Sequence, residues 1–167
     1  YLYRKQVEDT GGPGKFRGGV ALGAAYIAHD VPEIPYKIVH SLGQQQPESV
    51  GIYGGYPAST NQVIYKRNSN VEDLIKNGRT PADQSELPGE LEIRPPISAT
   101  NLKRGDIYAG IGMGGGGYGD PLERDAGLVA RDVINNCVSL ESARDIYGVV
   151  IDPAPLKVDP NGTRTQR

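Results

Sequence analysis

Gly114-Gly115-Gly116-Gly117-Tyr118-Gly119-Asp120-Pro121-Leu122-Glu123-Arg124-Asp125 is the stretch on which the reading of the chain turns. Four consecutive glycines run through an aromatic residue and a Gly-Asp-Pro turn into a charged helix start. Glycine lets other groups approach its backbone closely and tolerates φ > 0, so the run marks either a sharply bent connection or a backbone-lined contact site. Before the run the pattern is one of strands and turns, and after it the apolar period becomes helical.

Working back from the run, Leu102 to Ile111 has hairpin character, with the turn at Arg104-Gly105-Asp106 and a strand leading into the glycines. Further strands are predicted over residues 1–7, 20–28, 36–40, 50–56, 62–66 and 90–94, and Val71 to Gly78 reads as a single helical turn closed by glycine. Working forward, Asp125 is the predicted N-cap of a helix to about Asn136, with Leu128, Val129, Asp132 and Val133 on its inner stripe. Ser139 caps a second short helix with Ala143, Ile146 and Tyr147 inward and Gly148 as its C′ residue. Residues 149–151 are a predicted terminal strand. The order predicts an α+β fold, a β-rich domain of many short strands followed by two short helices and a terminal strand. Residues 1–151 form one domain in this reading, the C-terminal domain of a larger subunit, and residues 152–167 form a polar, Pro-rich tail.

Composition narrows the function classes. The 167 residues include 23 Gly, 13 Pro and 10 Tyr, which suits many tight connections and an aromatic-rich β core. A formal net charge of −2 argues against a nucleic-acid binder, which carries a basic stripe; the longest basic feature is Lys66-Arg67. The single cysteine, Cys137, excludes an internal disulfide and a Cys-based zinc site, and reads as a small buried residue beside Val138. No apolar run approaches the roughly 18 residues that span a membrane. Together these features predict a cytoplasmic protein without nucleic-acid or membrane partners. The chain opens on strand-like residues without an initiator Met, as the tail of a longer polypeptide would. Asn161-Gly162-Thr163 reads as a chance sequon.

Several motifs suggest chemistry and each has a structural alternative. Gly110-x-Gly112-x-x-Gly115 matches the dinucleotide fingerprint in form, but the predicted helix starts about ten residues too late to present its N-terminus to a pyrophosphate. Gly14-Lys15 is followed by Phe16, so no P-loop exists there. Successive amides of the glycine run are able to bind an anion, while a corner at which side chains would clash is the favoured reading. Asp120, Glu123 and Asp125 read as capping and ion-pairing groups rather than as an acid-base or metal cluster. His29-Asp30 and His40-Ser41 lack the nucleophile elbow of a serine hydrolase. Lys15-Phe16-Arg17, set between glycine pairs, reads as a charged loop facing solvent or a partner subunit.

Five ordered motifs carry a resemblance over nearly the whole chain: Gly11 to Gly19, Gly54-Gly55-Tyr56-Pro57, Leu102 to Asp106, Gly114 to Asp125, and Ala130-Arg131-Asp132-Val133 with Val138 to Val150. Together they resemble the carboxy-terminal region of the hydantoinase B / 5-oxoprolinase family, which includes N-methylhydantoinase B subunits and the corresponding subunits of acetone and acetophenone carboxylases. The resemblance implies part of a B-type subunit of an ATP-dependent cyclic-amide hydrolase acting on a hydantoin, oxoproline or lactam. Its partners are then a hydantoinase A-type ATP-binding subunit and the remainder of the B-type subunit. The A-type subunit, with ATP and Mg, phosphorylates a lactam or enolate oxygen. A divalent metal and most catalytic ligands belong to the amino-terminal region, so no metal ligand is carried over to this chain, no cofactor is expected on it, and alone it is expected to be inactive. The alternatives are the equivalent part of an acetone/acetophenone-type ketone carboxylase and a purely structural interaction module. Pro13 and Phe16 depart from the family's usual small residue and Tyr. With no catalytic residue assigned, the expected contributors to a shared site are the backbone of Gly114, Gly115, Gly116 and Gly117 and the side chains of Asp120 and Arg124.

Overall fold

The computed structural model describes residues 1–40 and 43–167, apart from the side chains at 36, 37, 39 and 40. Its contacts divide the chain into two compact units. The first holds Tyr1–Lys5, Gly23–Gln44 and Asn61–Gly112, and the second Gln6–Leu22, Gln45–Thr60 and Met113–Arg167.

The first unit is built on an antiparallel sheet. Its strands are β1 (Tyr3–Gln6), β2 (Leu22–Ile27), β4 (Gln62–Arg67), β5 (Glu90–Ile93) and β7 (Ile107–Ile111), in the order β1-β2-β7-β4-β5. A second, two-stranded sheet pairs β3 (Glu33–His40) with β6 (Ile97–Lys103). The central strands bury both faces, so they show weak alternation in sequence. On one face Ala25, Ile64, Ile107 and Ala109 pack with Val71, the first residue of helix α1 (Val71–Lys76), and with Leu87. On the other, Val63 and Tyr65 pack with Leu102 of β6 and Ile34 of β3. The register places Tyr26, Tyr108 and Tyr65 side by side across β2, β7 and β4. Tyr26 and Tyr108 stack at 4.7 Å between centroids, and Tyr65 meets Tyr108 edge-on at 5.4 Å, the separations at which aromatic pairs add to simple burial. The turn at Arg104-Gly105-Asp106 forms as expected, with Gly105 at φ +84. Strand β6 was predicted only at its last residues, because Ile-Ser-Ala-Thr-Asn is too polar to stand out after two prolines.

The second unit combines a glycine weave with a small helical core. Residues 10–19, 49–58 and 113–119 run beside one another, joined by backbone hydrogen bonds. Gly12 N donates to Gly115 O at 2.8 Å, Gly115 N to Gly19 O at 2.8 Å, Gly117 N to Tyr56 O at 2.9 Å, and Tyr56 N to Pro13 O at 2.8 Å. The predicted strand over 50–56 is reduced to one isolated bridge, Ile52 to Tyr118, because Tyr53 and Gly54 turn the chain at positive φ. In place of a simple strand-to-helix corner, the glycine run is the middle layer of the weave. A Cβ on Gly117 would collide with the carbonyl of Pro13, one on Gly116 with that of Val50, and one on Gly18 with that of Gly115.

Beyond the weave lie helices α2 (Ala126–Ile134) and α3 (Leu140–Asp145), capped as predicted by Asp125 and Ser139. Gly148 adopts φ +61 one residue further out than the C′ position, since α3 ends with Ile146 as its C-cap. Val129, Val133, Val138, Ala143, Tyr147 and Val149 form the core between them. The terminal strand begins only at Ile151: β8 (Ile151–Asp152) pairs with β9 (Lys157–Val158). The expected tail is therefore folded, and it ends in helix α4 (Pro160–Gln166). Asp159 accepts from Asn161 N and Pro160 pre-sets the first turn, a start signal the polar composition masked. Thr163, buried in α4, accepts from Val150 N at 3.1 Å and ties the helix back to the core.

Gly117→Ala is expected to lower stability by about 3 kcal/mol or abolish folding, since the obstructing atoms are backbone and have no rotamer to yield. Gly19→Ala, where a Cβ meets nothing within 4 Å, is expected to change stability by no more than about 0.5 kcal/mol. Urea unfolding of the two variants measures the contrast.

Candidate functional site

The polar side chains gather in two networks, one within each unit. In the second unit the centre is Asp132, on the inner stripe of α2. Arg124 donates to its Oδ2 from Nη2 at 2.8 Å and from Nε at 3.2 Å, and Arg17 donates to Oδ1 from Nη2 at 3.1 Å. Arg124 also donates from Nη1 to Lys15 O at 2.9 Å, and Arg17 from Nη1 to Gly18 O. One carboxylate thus holds two guanidinium groups that grip the backbone of the weave. Arg124 and Asp132 are both buried. Burial opposes the charge on Arg17, and the hydrogen bond and charge of Asp132 more than offset it, so the guanidinium pKa rises. Arg167 closes the arrangement by donating to Arg124 O at 2.6 Å and Tyr147 O at 3.1 Å.

In the first unit Arg67 takes the same part. It donates from Nε to Glu92 at 2.6 Å, from Nη1 to Asp106 at 2.7 Å and Asn101 O at 2.9 Å, and from Nη2 to Thr100 Oγ1 at 3.0 Å. Its guanidinium carbon stands 4.6 Å from the ring centroid of Tyr65. Hydrogen bonding from Arg67 holds the Glu92 carboxyl below its ordinary value, helped by Arg94. Asp106 also accepts from Lys103 N at 3.0 Å and fixes the β6–β7 turn. Arg67, Asn68, Thr100, Asn101, Lys103 and Asp106 line a cleft of about 440 Å³. The Arg67 donors named above are all committed to protein acceptors, so the network suits holding strands together better than gripping a ligand.

The expected site residues fall inside this framework. Gly114 to Gly117 lie in the weave, where the amides of Gly115 and Gly117 are already bonded to Gly19 O and Tyr56 O. Asp120 Oδ1 accepts from Leu122 N at 2.8 Å, capping the 3-10 turn Pro121–Glu123. Glu123 pairs with Lys15 at 3.1 Å, and Asp125 caps α2. Arg124 reaches the segment beside the glycine run through Lys15 O, and Arg17 through Gly18 O; Asp120 stands at the exposed end of the run. Sequence reasoning missed Arg17 and Asp132 as partners of Arg124. The signal was present: an Asp set among Val129 and Val133 on an inner stripe requires a buried cation.

Among the described residues the other motifs bring no further reacting groups together. His29 Nε2 lies 3.4 Å from the Asp30 carboxylate, with both side chains over 80% exposed. The His40-Ser41 pair lies outside the described residues. Helix α2 starts at Ala126, well past the third glycine of the dinucleotide fingerprint. Cys137 is buried, 3.9 Å from Gln6 Oε1. Among the described residues no group of three His, Cys, Asp or Glu side chains is placed to hold a metal ion. Also among the described residues, no helix is long and apolar enough to cross a membrane.

The family model for hydantoinase B/oxoprolinase matches residues 2–121. The chain belongs to that family. It is 31% identical to the acetophenone carboxylase delta subunit of Aromatoleum aromaticum, over 96% of this chain and 25% of the relative. It is 32% identical to caprolactamase subunit beta of Pseudomonas jessenii, over 86% of this chain and 22% of the relative. The solved nucleotide-free structure of acetone carboxylase matches all of the chain with a TM-score of 0.80 and 26% identity, and the match takes up 24% of that protein's chain. The chain therefore spans about a quarter of the length of these relatives, and the resemblance seen in its five motifs is one of common family.

Two measurements test the networks. Asp132→Ala leaves two cations in the protein interior without their anion and is expected to cost about 3–5 kcal/mol by thermal unfolding. Burial pushes the phenols of Tyr26, Tyr65 and Tyr147 up to about 12. The unfolded chain ionises its tyrosines near pH 10. Below that pH the three phenols are neutral in both states and their contribution to stability is complete; between about pH 10 and 12 the unfolded state loses protons first, and stability falls. Absorbance titration of the 10 tyrosines is expected to show a late group near pH 12, reduced by one in Tyr147→Phe.

Proposed function

We propose that the chain is the carboxy-terminal part of a B-type subunit in an ATP-dependent, cytoplasmic complex that opens a cyclic amide. An A-type partner subunit uses the ATP, and the amino-terminal region of the B-type polypeptide holds the metal and the reacting groups. The observation that carries the reading is the match of the whole chain to a quarter of a solved relative's chain, joined to polar networks whose arginine donors named above are spent on protein acceptors. In this reading Gly114 to Gly117, Asp120 and Arg124 serve the shared site as framework. The weave sets a rigid wall, Arg124 and Arg17 fix its backbone through Asp132, and Asp120 turns the chain away from it.

A second reading, the equivalent part of a ketone carboxylase, is favoured by the 96% coverage against the acetophenone carboxylase subunit. The caprolactamase subunit, at 32% identity, supports the hydrolase equally. Both chemistries ask the same of this segment, which is to hold a large subunit in one shape.

Co-purification from the native source, followed by ADP release, distinguishes the two. The chain is expected to travel with a large ATP-binding subunit, and ATP turnover is expected to rise with hydantoin, 5-oxoproline or caprolactam. Turnover raised instead by acetone or acetophenone with bicarbonate moves the assignment to the carboxylase. The chain alone is expected to release no ADP with any of these, and hydrolysis of a lactam by the isolated chain would overturn the framework role.

A further inference from the structure

Three aromatic rings stand out from the glycine weave, one from each of its segments. Phe16 and Tyr118 lie 6.0 Å apart between centroids, and Tyr53 and Tyr118 5.2 Å apart. Phe16 is 63% exposed, Tyr53 79% and Tyr118 45%, and Ile52, which bridges to Tyr118, is 52% exposed. Aromatic side chains carry the largest apolar areas in a protein, so a contiguous cluster left in water marks a contact surface.

The support beneath the rings is stiff. Phe16 and Tyr118 exchange backbone hydrogen bonds at 2.9 and 3.0 Å, and Ile52 N donates to Gly117 O at 3.0 Å. Tyr53 sits at φ +53, a conformation bulky residues rarely adopt. A rigid, apolar, pre-organised face loses little entropy on docking and suits a permanent contact better than a transient one. What covers it follows from length. In acetone carboxylase this fold is 24% of one chain, and in the acetophenone carboxylase subunit the matching stretch is 25%, so about three-quarters of such a polypeptide is available to lie against it.

We propose that the Phe16, Tyr53 and Tyr118 cluster is the face by which this chain docks on an apolar patch of the remaining B-type polypeptide. The proposal rests on the B-type reading above. Its test titrates the 167-residue chain against one probe, the acetophenone carboxylase delta subunit of Aromatoleum aromaticum truncated to remove the matching quarter. Calorimetry and native mass spectrometry follow the wild type, the Phe16→Ser/Tyr118→Ser variant and the Tyr53→Ser variant. The expected result is a one-to-one complex that both variants weaken, the double variant by at least about 100-fold, with thermal melting of the variants alone unchanged. Equal binding by wild type and variants overturns the docking face and leaves the B-type reading standing. No binding by the wild type to a folded probe overturns the docking face. Self-association of the chain that disappears in the variants makes a second copy the occupant and overturns the proposal.

Discussion

The carbonyl of Pro13 stands where a Cβ of Gly117 would be, and the carbonyls of Val50 and Gly115 do the same to Gly116 and Gly18. From this contact of backbone against backbone the rest of the second unit follows. Peptide groups this close bond to one another with no side chain between them, so the stability of the weave comes from hydrogen bonds and close packing rather than from apolar burial. Apolar burial is left to the helical part, where Val129, Val133, Val138, Tyr147 and Val149 form a small core. Of the other residues in the weave, Thr10 and Ala58 are buried, while Phe16, Ile52, Tyr53 and Tyr118 stand exposed.

A layer of bare backbone needs a device to hold its register, and the Arg17, Asp132 and Arg124 network supplies it. Asp132 binds both guanidinium groups from a helix, while Arg17 Nη1 donates to Gly18 O and Arg124 Nη1 to Lys15 O. A buried ion pair of this sort adds little net stability compared with apolar groups of equal volume, but the loss of one member is costly, and its directional bonds specify one arrangement. Arg67 does the equivalent in the first unit, joining Glu92, Asp106 and Thr100 across strands. Each unit is thus built around an arginine whose donors are spent on the fold.

The chain belongs to the hydantoinase B/oxoprolinase family. The chain corresponds to a quarter of its relatives' length, and its polar side chains cap helices, close turns and pair within the segment. The relatives include a ketone carboxylase subunit and a caprolactamase subunit at nearly equal identity. The same scaffold is therefore shared between a carboxylase subunit and a caprolactamase subunit.

Local signals were legible in the sequence wherever a single element decided them. Asp125 and Ser139 cap their helices because a short side-chain oxygen reaches the amide three residues on. Strands β2, β4, β5 and β7, and the turn at Gly105, followed from alternation and turn chemistry, and the five ordered motifs identified the family. The folded tail escaped notice because its only start signal, Asp159-Pro160, lies in polar surroundings, and β6 escaped because its partner rather than its composition makes it a strand. The sequence by itself determined the α+β class, the helix caps and the family, all of which depend on neighbours within a few residues or on motif identity. Only the tertiary structure decided that the four glycines form a packed layer, that Arg124 is held by Asp132 together with Arg17, and that three aromatic rings share one exposed face. Those features depend on which distant segments meet, and a glycine carries no side chain to record its partner in the sequence.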